Sequence, residues 1–296
     1  DSLALESLFM RSGYIDALIY VLLSSVAFVF LNNLIADVNP LMALLVMSSV
    51  ALVVFNLLSF KRIKLTYTVC WQHKSIYIWM SIGLALDWVC MVYASYVADP
   101  FIAMSALFIS LAIIGFIRLN FIQKSRKRLI SLMLLIVSLI LLELFYVVPV
   151  GHSTSLGILL GVLAGGAFYL YILNSAKLAS LGNLNSLQVL ATRFWFLWCI
   201  ALVMVPKLHL WANMLTHLGA LILISFASLI VPIYFNQRAI QKLGAELTSV
   251  FIGLVPPVTF VCYVIYSHEF HWLNGMVCLI ITVALLLPTI CKSRTS

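Results

Sequence analysis

SIYIWMSIGLALDWVCMVYASY, residues 75–96, runs for 22 residues with one charged side chain, Asp87. A helix of that length measures about 33 Å, enough to cross the roughly 30 Å hydrocarbon core of a bilayer. A charge at the bilayer centre costs about 2.5–3.5 kcal/mol on insertion scales, so a carboxylate held there needs a reason. Whether the rest of the chain also belongs in lipid decides how Asp87 is read.

It does by composition. Of 296 residues, 64% are hydrophobic and 9% charged, and the mean hydropathy is +1.16, a balance that keeps no water-soluble domain of this size in solution. Apolar runs between charged or turn-rich breaks predict ten transmembrane helices, at residues 14–36, 40–60, 76–97, 100–122, 128–149, 155–178, 184–206, 217–238, 246–267 and 271–291. The fold class expected is therefore an all-α membrane protein. Connections are short and leave no room for a soluble domain. The opening DSLALESLFM is too short and too poor in basic residues for a secretory signal, so residues 1–13 are read as an N-terminal segment.

Basic residues set the expected orientation, because Lys and Arg flanking spans stay on the cytoplasmic side. With a cytoplasmic N-terminus, Arg11, Lys61, Arg62, Lys64, Lys74, Arg118, Lys124, Arg126, Lys127, Arg128, Lys177, Arg238, Lys242, Lys292 and Arg294 fall inside, only Lys207 falls outside, and Arg193 lies within the seventh span. Both termini are then cytoplasmic. The net charge of +8 reads as an orientation signal, and a nucleic-acid partner is discarded because no basic soluble face exists to hold one.

The cysteines form neither a disulfide framework nor a CxxC pattern and read as small apolar packing residues. His268 and His271 in SHEFHW are spaced to share a metal on one helical turn, but beside Trp272 they read as headgroup-level residues. No metal and no cofactor is assigned. GxSxG, HExxH and Walker A motifs are absent, so no enzyme is expected, and transport would be driven by a gradient or by exchange.

A shift of 145 residues lays the chain on itself, pairing Ala94 with Ala239, Ile109 with Leu254 and Leu111 with Pro256. The same shift sets the first span on the sixth, the third on the eighth and the fifth on the tenth. Five spans is an odd number, so the second copy enters the membrane from the opposite side. Two inverted five-helix repeats, residues 14–149 and 150–296, follow.

Residues 223–287, LISFASLIVPIYFNQRAIQKLGAELTSVFIGLVPPVTFVCYVIYSHEFHWLNGMVCLIITVALLL, carry a resemblance. The stretch Ala239 to Gly244, Pro256, Glu269 at the close of the ninth span and Gly275 fall at spacings similar to those of the drug/metabolite transporter superfamily, EamA type. The first half departs from that pattern. Its fourth span lacks a proline where Leu111 or Ala112 stands, Val255 replaces the acid before the ninth-span proline, and the early basic residue occurs once, as Arg193, with Ser48 at the matching place. The resemblance implies transport of small polar metabolites, amino acids or drugs by alternating access across a bacterial inner membrane, usually outward. The rival reading is a lipid-flippase subunit or membrane-embedded sensor.

Asp87 lies roughly 16 Å into the third span and Arg193 roughly 13 Å into the seventh. Three roles for Asp87 stay open: an ion pair with Arg193, proton coupling, and counter-charge to a cationic substrate group. Arg193 has a second reading, snorkelling to the headgroups. Ser25 and Asn32 share a face of the first span. On the eighth, Pro232 and Asn236 recur at helical spacing with Tyr234 between them, and the repeat sets Pro232 opposite Asp87. Trp88, Tyr93 and Tyr234 are deep enough to line an apolar or cation-accepting cavity. Gly253, Pro256 and Pro257 are expected to break the ninth span as a hinge or binding surface. Gly157, Gly161 and Gly165 form a stripe for close helix packing. Glu143 on a peripheral helix reads as an interfacial or homodimer contact.

Overall fold

The computed structural model describes residues 2–34, 38–122, 124–145, 153–205 and 209–290, and all of their regular structure is helical. The helices in chain order are α1 (Ser2–Leu34), α2 (Pro40–Leu58), α3 (Ile63–Gln72), α4 (Lys74–Val97), α5 (Pro100–Ile122), α6 (Arg126–Phe145), α7 (Thr154–Gly182), α8 (Ser186–Arg193), α9 (Trp195–Met204), α10 (His209–Ile224), α11 (Val231–Ile252), α12 (Val255–Ser267) and α13 (Trp272–Ile290). A 3-10 turn, Phe60–Arg62, joins α2 to α3, and a π-helical turn, Ser225–Ile230, joins α10 to α11.

Among the described residues, seven helical stretches are long and apolar enough to cross a membrane, and Val255–Ser267 and Trp272–Pro288 are shorter apolar helices. The expectation from sequence is ten spans, the ninth of them broken. The longest stretch, Leu215–Ile252, has 38 residues and would measure about 57 Å if straight, nearly twice a bilayer core. It bends at Gly244, where φ 81° and ψ 172° are incompatible with a helix and favour a residue without Cβ. The expected eighth and ninth spans lie on either side of that bend.

Two further interruptions shape the interior. The expected seventh span is divided at Phe194 into α8 and α9. The expected ninth span is broken at Gly253 and Leu254, and Pro256 and Pro257 fall in the first turn of α12. The break falls where these residues were expected to make one, and the prolines open the new helix: proline suits a helix start, where its missing N–H would have had no partner. Before Pro232 the chain widens into the π turn, a local adjustment of the kind that lets a spanning helix absorb a proline.

The closest packing is between α4 and α7, followed by α1 with α11 and α5 with α7. Small residues permit it. A Cβ on Gly83 would stand 2.8 Å from the Ala167 oxygen and the Tyr171 nitrogen of α7, and one on Gly161 would stand 2.7 Å from the Ala106 Cβ of α5. Gly157 faces Ala98 and Gly165 faces Ser110 and Leu107, so the glycine stripe is a packing seam. One large apolar core lies among α1, α2, α4, α5 and α7 to α11, and a second forms where α6 and α13 meet α5. Glu143, exposed on α6, accepts a hydrogen bond from the Ser155 hydroxyl of α7.

Candidate functional site

A group of buried polar side chains sits where α1, α4, α7, α8 and α11 converge. Its placement begins with the link between α7 and α8. Asn183 takes a left-handed conformation that closes α7. Asn185 then starts α8 with a capping box, accepting from the Gln188 N–H at 3.0 Å while the Gln188 side chain accepts from the Asn185 N–H at 2.9 Å. A fixed start leaves α8 eight residues long, with Arg193 in its last turn.

The carbonyls exposed where α8 ends are taken up by side chains of three other helices. Asn56 Nδ2 donates to the Ala191 oxygen at 3.0 Å, Tyr67 Oη donates to the same oxygen at 3.3 Å, and Tyr77 Oη donates to the Thr192 oxygen at 3.2 Å. The break at Phe194 is therefore built in. Phe194 itself is buried, and its ring stacks on Phe55 with centroids 6.2 Å apart.

Arg193 is 1% exposed, which overturns the snorkelling reading. Its guanidinium carbon lies 4.6 Å from the ring centres of both Tyr171 and Phe194. Nη1 donates to the Tyr171 hydroxyl, which donates to Gln237 Oε1 at 2.6 Å; the Ser175 hydroxyl donates to the same oxygen at 2.8 Å. The chain of bonds stops short of completion: Arg193 Nε, Gln237 Nε2 and both amide atoms of Asn236 are buried without a partner.

Asp87 faces this group from α4. It is 7% exposed, and among the described residues its carboxylate has neither a hydrogen bond nor an ion pair within 4.0 Å. The direct bridge to Arg193 that the matching depths allowed is not formed. The two charges nonetheless act on each other and on Tyr20 of α1. A buried anion on α4 and a buried cation on α8, two helices in contact, thus keep their ion-pairing capacity unspent, an arrangement that is costly unless a further polar group is recognised there.

The two ends of the apolar stretch of α1, Met10–Val29, differ. Near one end, buried Asp16 pairs with Lys242 Nζ at 2.5 Å and with Arg238 Nε at 3.2 Å, both on α11. Toward the other end, Phe28 and Val29 border a cavity of about 260 Å³ with Phe101, Thr259, Phe260 and Asn274 among its walls. Tyr20 and Ser24 lie between the two along α1.

No family model and no curated protein matches the chain. A solved structure described only as "Crystal structure of protein" superposes with a TM-score of 0.69 at 14% identity, covering 97% of this chain and 99% of that one. The likeness is one of fold. It extends over nearly the whole of both chains.

The remaining residues singled out by sequence are dispersed. The Ser25 hydroxyl donates to the Val255 oxygen at 3.2 Å and ties α1 to the start of α12. Trp88 is half-buried against the main core, and Tyr93 is exposed. Tyr234 lies toward the Asp16 end, its ring centre 5.7 Å from the Arg238 guanidinium. Asn236 and Pro232 are buried on α11, and the Asn32 side chain lies outside the described residues. Sequence reasoning missed Tyr20, Ser175 and Gln237, and it gave Tyr171 no role at the site. Tyr171 and Ser175 are four residues apart, which places them on one helix face, and Gln237 adjoins Asn236 in a polar NQR run.

Proposed function

We propose that this chain is a secondary transporter of the drug/metabolite transporter superfamily, EamA type, that exports small polar metabolites, amino acids or related cationic and aromatic compounds, across a bacterial inner membrane. The observation that carries the reading is the pair Asp87 and Arg193: opposite charges, both buried, on helices from different halves, and not joined to each other. A zwitterion meets both needs at once, its carboxylate on the guanidinium and its ammonium on the carboxylate.

Helix packing supports the inverted repeat. Exchanging first span with sixth and third with eighth turns the α4–α7 contact into α11–α1, and both are among the three most extensive helix pairs. The same exchange turns α5–α7 into α12–α1, which is also a contact. An end bridged by Asp16 and an end carrying a cavity, with a polar centre between, support alternating access. Proton coupling through Asp87, or exchange, drives the cycle.

Counterflow of labelled amino acids and cationic metabolites in proteoliposomes, measured at two pH values, tests the proposal. Saturable flux of a zwitterion or cation is expected. No saturable flux for any small solute would replace it with the lipid-flippase or sensor reading.

A further inference from the structure

Where α2 ends, the 3-10 turn Phe60–Arg62 and the start of α8 enclose a second cavity, of about 380 Å³. Ser59, Lys61, Arg62, Asn185, Leu187 and Gln188 are among its walls. We propose that this cavity binds the phosphate group of an anionic phospholipid. The inference concerns a site apart from the charged centre and holds whether or not the chain transports solutes.

Four features converge on that ligand. Lys61 and Arg62 are exposed and, among the described residues, have no acidic partner. The Ser59 hydroxyl is buried, the residue being 6% exposed, and has no hydrogen-bond partner although its residue lines the cavity. The first turn of α8 opens there: Asn185 caps the Gln188 N–H, and the N–H groups before it have no partner within the helix, which makes a helix start attractive to anions. The flank is apolar, with Leu57, Leu58 and Phe60 all strongly exposed beside the cations. Free phosphate has no use for such a flank, whereas an acyl chain lies along it. Two cations, a buried hydroxyl donor and free backbone donors beside an apolar wall together fit a phosphodiester with its lipid tails.

The occupied site would bear on the centre through α8. Gln188 Nε2 donates to Thr66 Oγ1 at 3.1 Å, fixing the helix start to α3, and Arg193 stands at the other end of the same eight residues.

Native mass spectrometry of the purified full chain in detergent, titrated with phosphatidylglycerol, phosphatidylcholine or inorganic phosphate, tests the site. Phosphatidylglycerol is expected to bind in preference to phosphatidylcholine. Replacing both Lys61→Gln and Arg62→Gln is expected to weaken it about 25-fold, roughly fivefold per cation, and Ser59→Ala to weaken it less. The pair Lys124→Gln and Arg126→Gln, an equal loss of charge on another loop, leaves binding unchanged, and melting temperatures of all variants confirm that they fold. Equal weakening by the two charge pairs would overturn the site in favour of diffuse attraction. Displacement of the lipid by millimolar inorganic phosphate would overturn the lipid assignment.

Discussion

Arg193 donates to the Tyr171 hydroxyl and its guanidinium carbon stands 4.6 Å from the Tyr171 ring centre, so one residue of α7 holds the buried cation by two different means. Tyr171→Phe keeps the ring and removes the hydrogen bond to both Arg193 and Gln237. Hydrogen bonds to charged groups contribute about 1.5–3 kcal/mol, so the variant is expected to fold with a lowered melting temperature and to show a raised KM in proteoliposome flux. An unchanged KM would detach Tyr171 from substrate recognition. Arg193→Lys is expected to lose more, because an ammonium cannot span the two rings as a planar guanidinium does.

Asp87→Asn removes a charge and preserves shape. The variant is expected to insert and to melt at or above the wild-type temperature, since an unpaired buried carboxylate is a cost to the fold. Flux of zwitterions or cations is expected to fall, and its dependence on pH to disappear. Equal flux with an equal pH profile would remove Asp87 from the mechanism.

Asp16→Asn leaves Lys242 and Arg238 without their carboxylate at one end of the α1–α11 contact. Lys242 is the more enclosed of the two, so the expected loss exceeds that of a surface pair, at about 1–3 kcal/mol. Thiol-reactive probes placed on the α11 side of this contact are expected to label faster in the variant. A wild-type labelling rate would show that other contacts hold that end closed.

Two glycines five residues apart on α7 are expected to behave oppositely. Gly161→Val drives a branched side chain into Ala106 and the Ala103 carbonyl and should destabilise by at least the 1–3 kcal/mol typical of overpacking. Gly166 has no neighbour within 4 Å of a built Cβ, so Gly166→Ala should be neutral or stabilise by about 0.5–1 kcal/mol through helix propensity. Thermal melts of the two in one detergent make the comparison.

On α3, burial pushes the Cys70 thiol above its usual range, with a smaller opposing contribution from a hydrogen bond with Thr192. A raised value means less thiolate at neutral pH and hence slow alkylation. Maleimide labelling of Cys70 is expected to lag behind that of a free model thiol at pH 7 and to accelerate as pH rises past the ordinary thiol range. Rapid labelling at pH 7 would mean that α3 leaves its seat on α8.

Much of the architecture is visible in the sequence, because apolar length and a single intruding charge are local signals. Asp87 announces itself against its neighbours, and the spacing of Gly157, Gly161 and Gly165 describes the seam that they form. The break at Phe194 has no such signal: LATRFWF contains neither Gly nor Pro, and the interruption is maintained by Asn56, Tyr67 and Tyr77 from elsewhere in the chain. For the same reason the depth of Arg193 was legible and its partners were not. Depth is counted along one helix, whereas the choice of Tyr171 and Gln237 depends on how α7, α8 and α11 meet. Ser25 shows the converse, a polar residue on a promising face whose hydroxyl is used to fasten α12.

The bend at Gly244 gives the two arms of α11 a joint one residue long. The first arm lies on α1 through Ala239 and Leu243, and the second lies on α5, with Ser249 against Gly115, while its Phe251 ring reaches Tyr14 of α1. A tether that short passes on rotation but has no slack to absorb sliding, so any tilt of one arm must appear in the other. Two or three added glycines there would loosen that transmission and leave α1, which both arms touch, as the link between them.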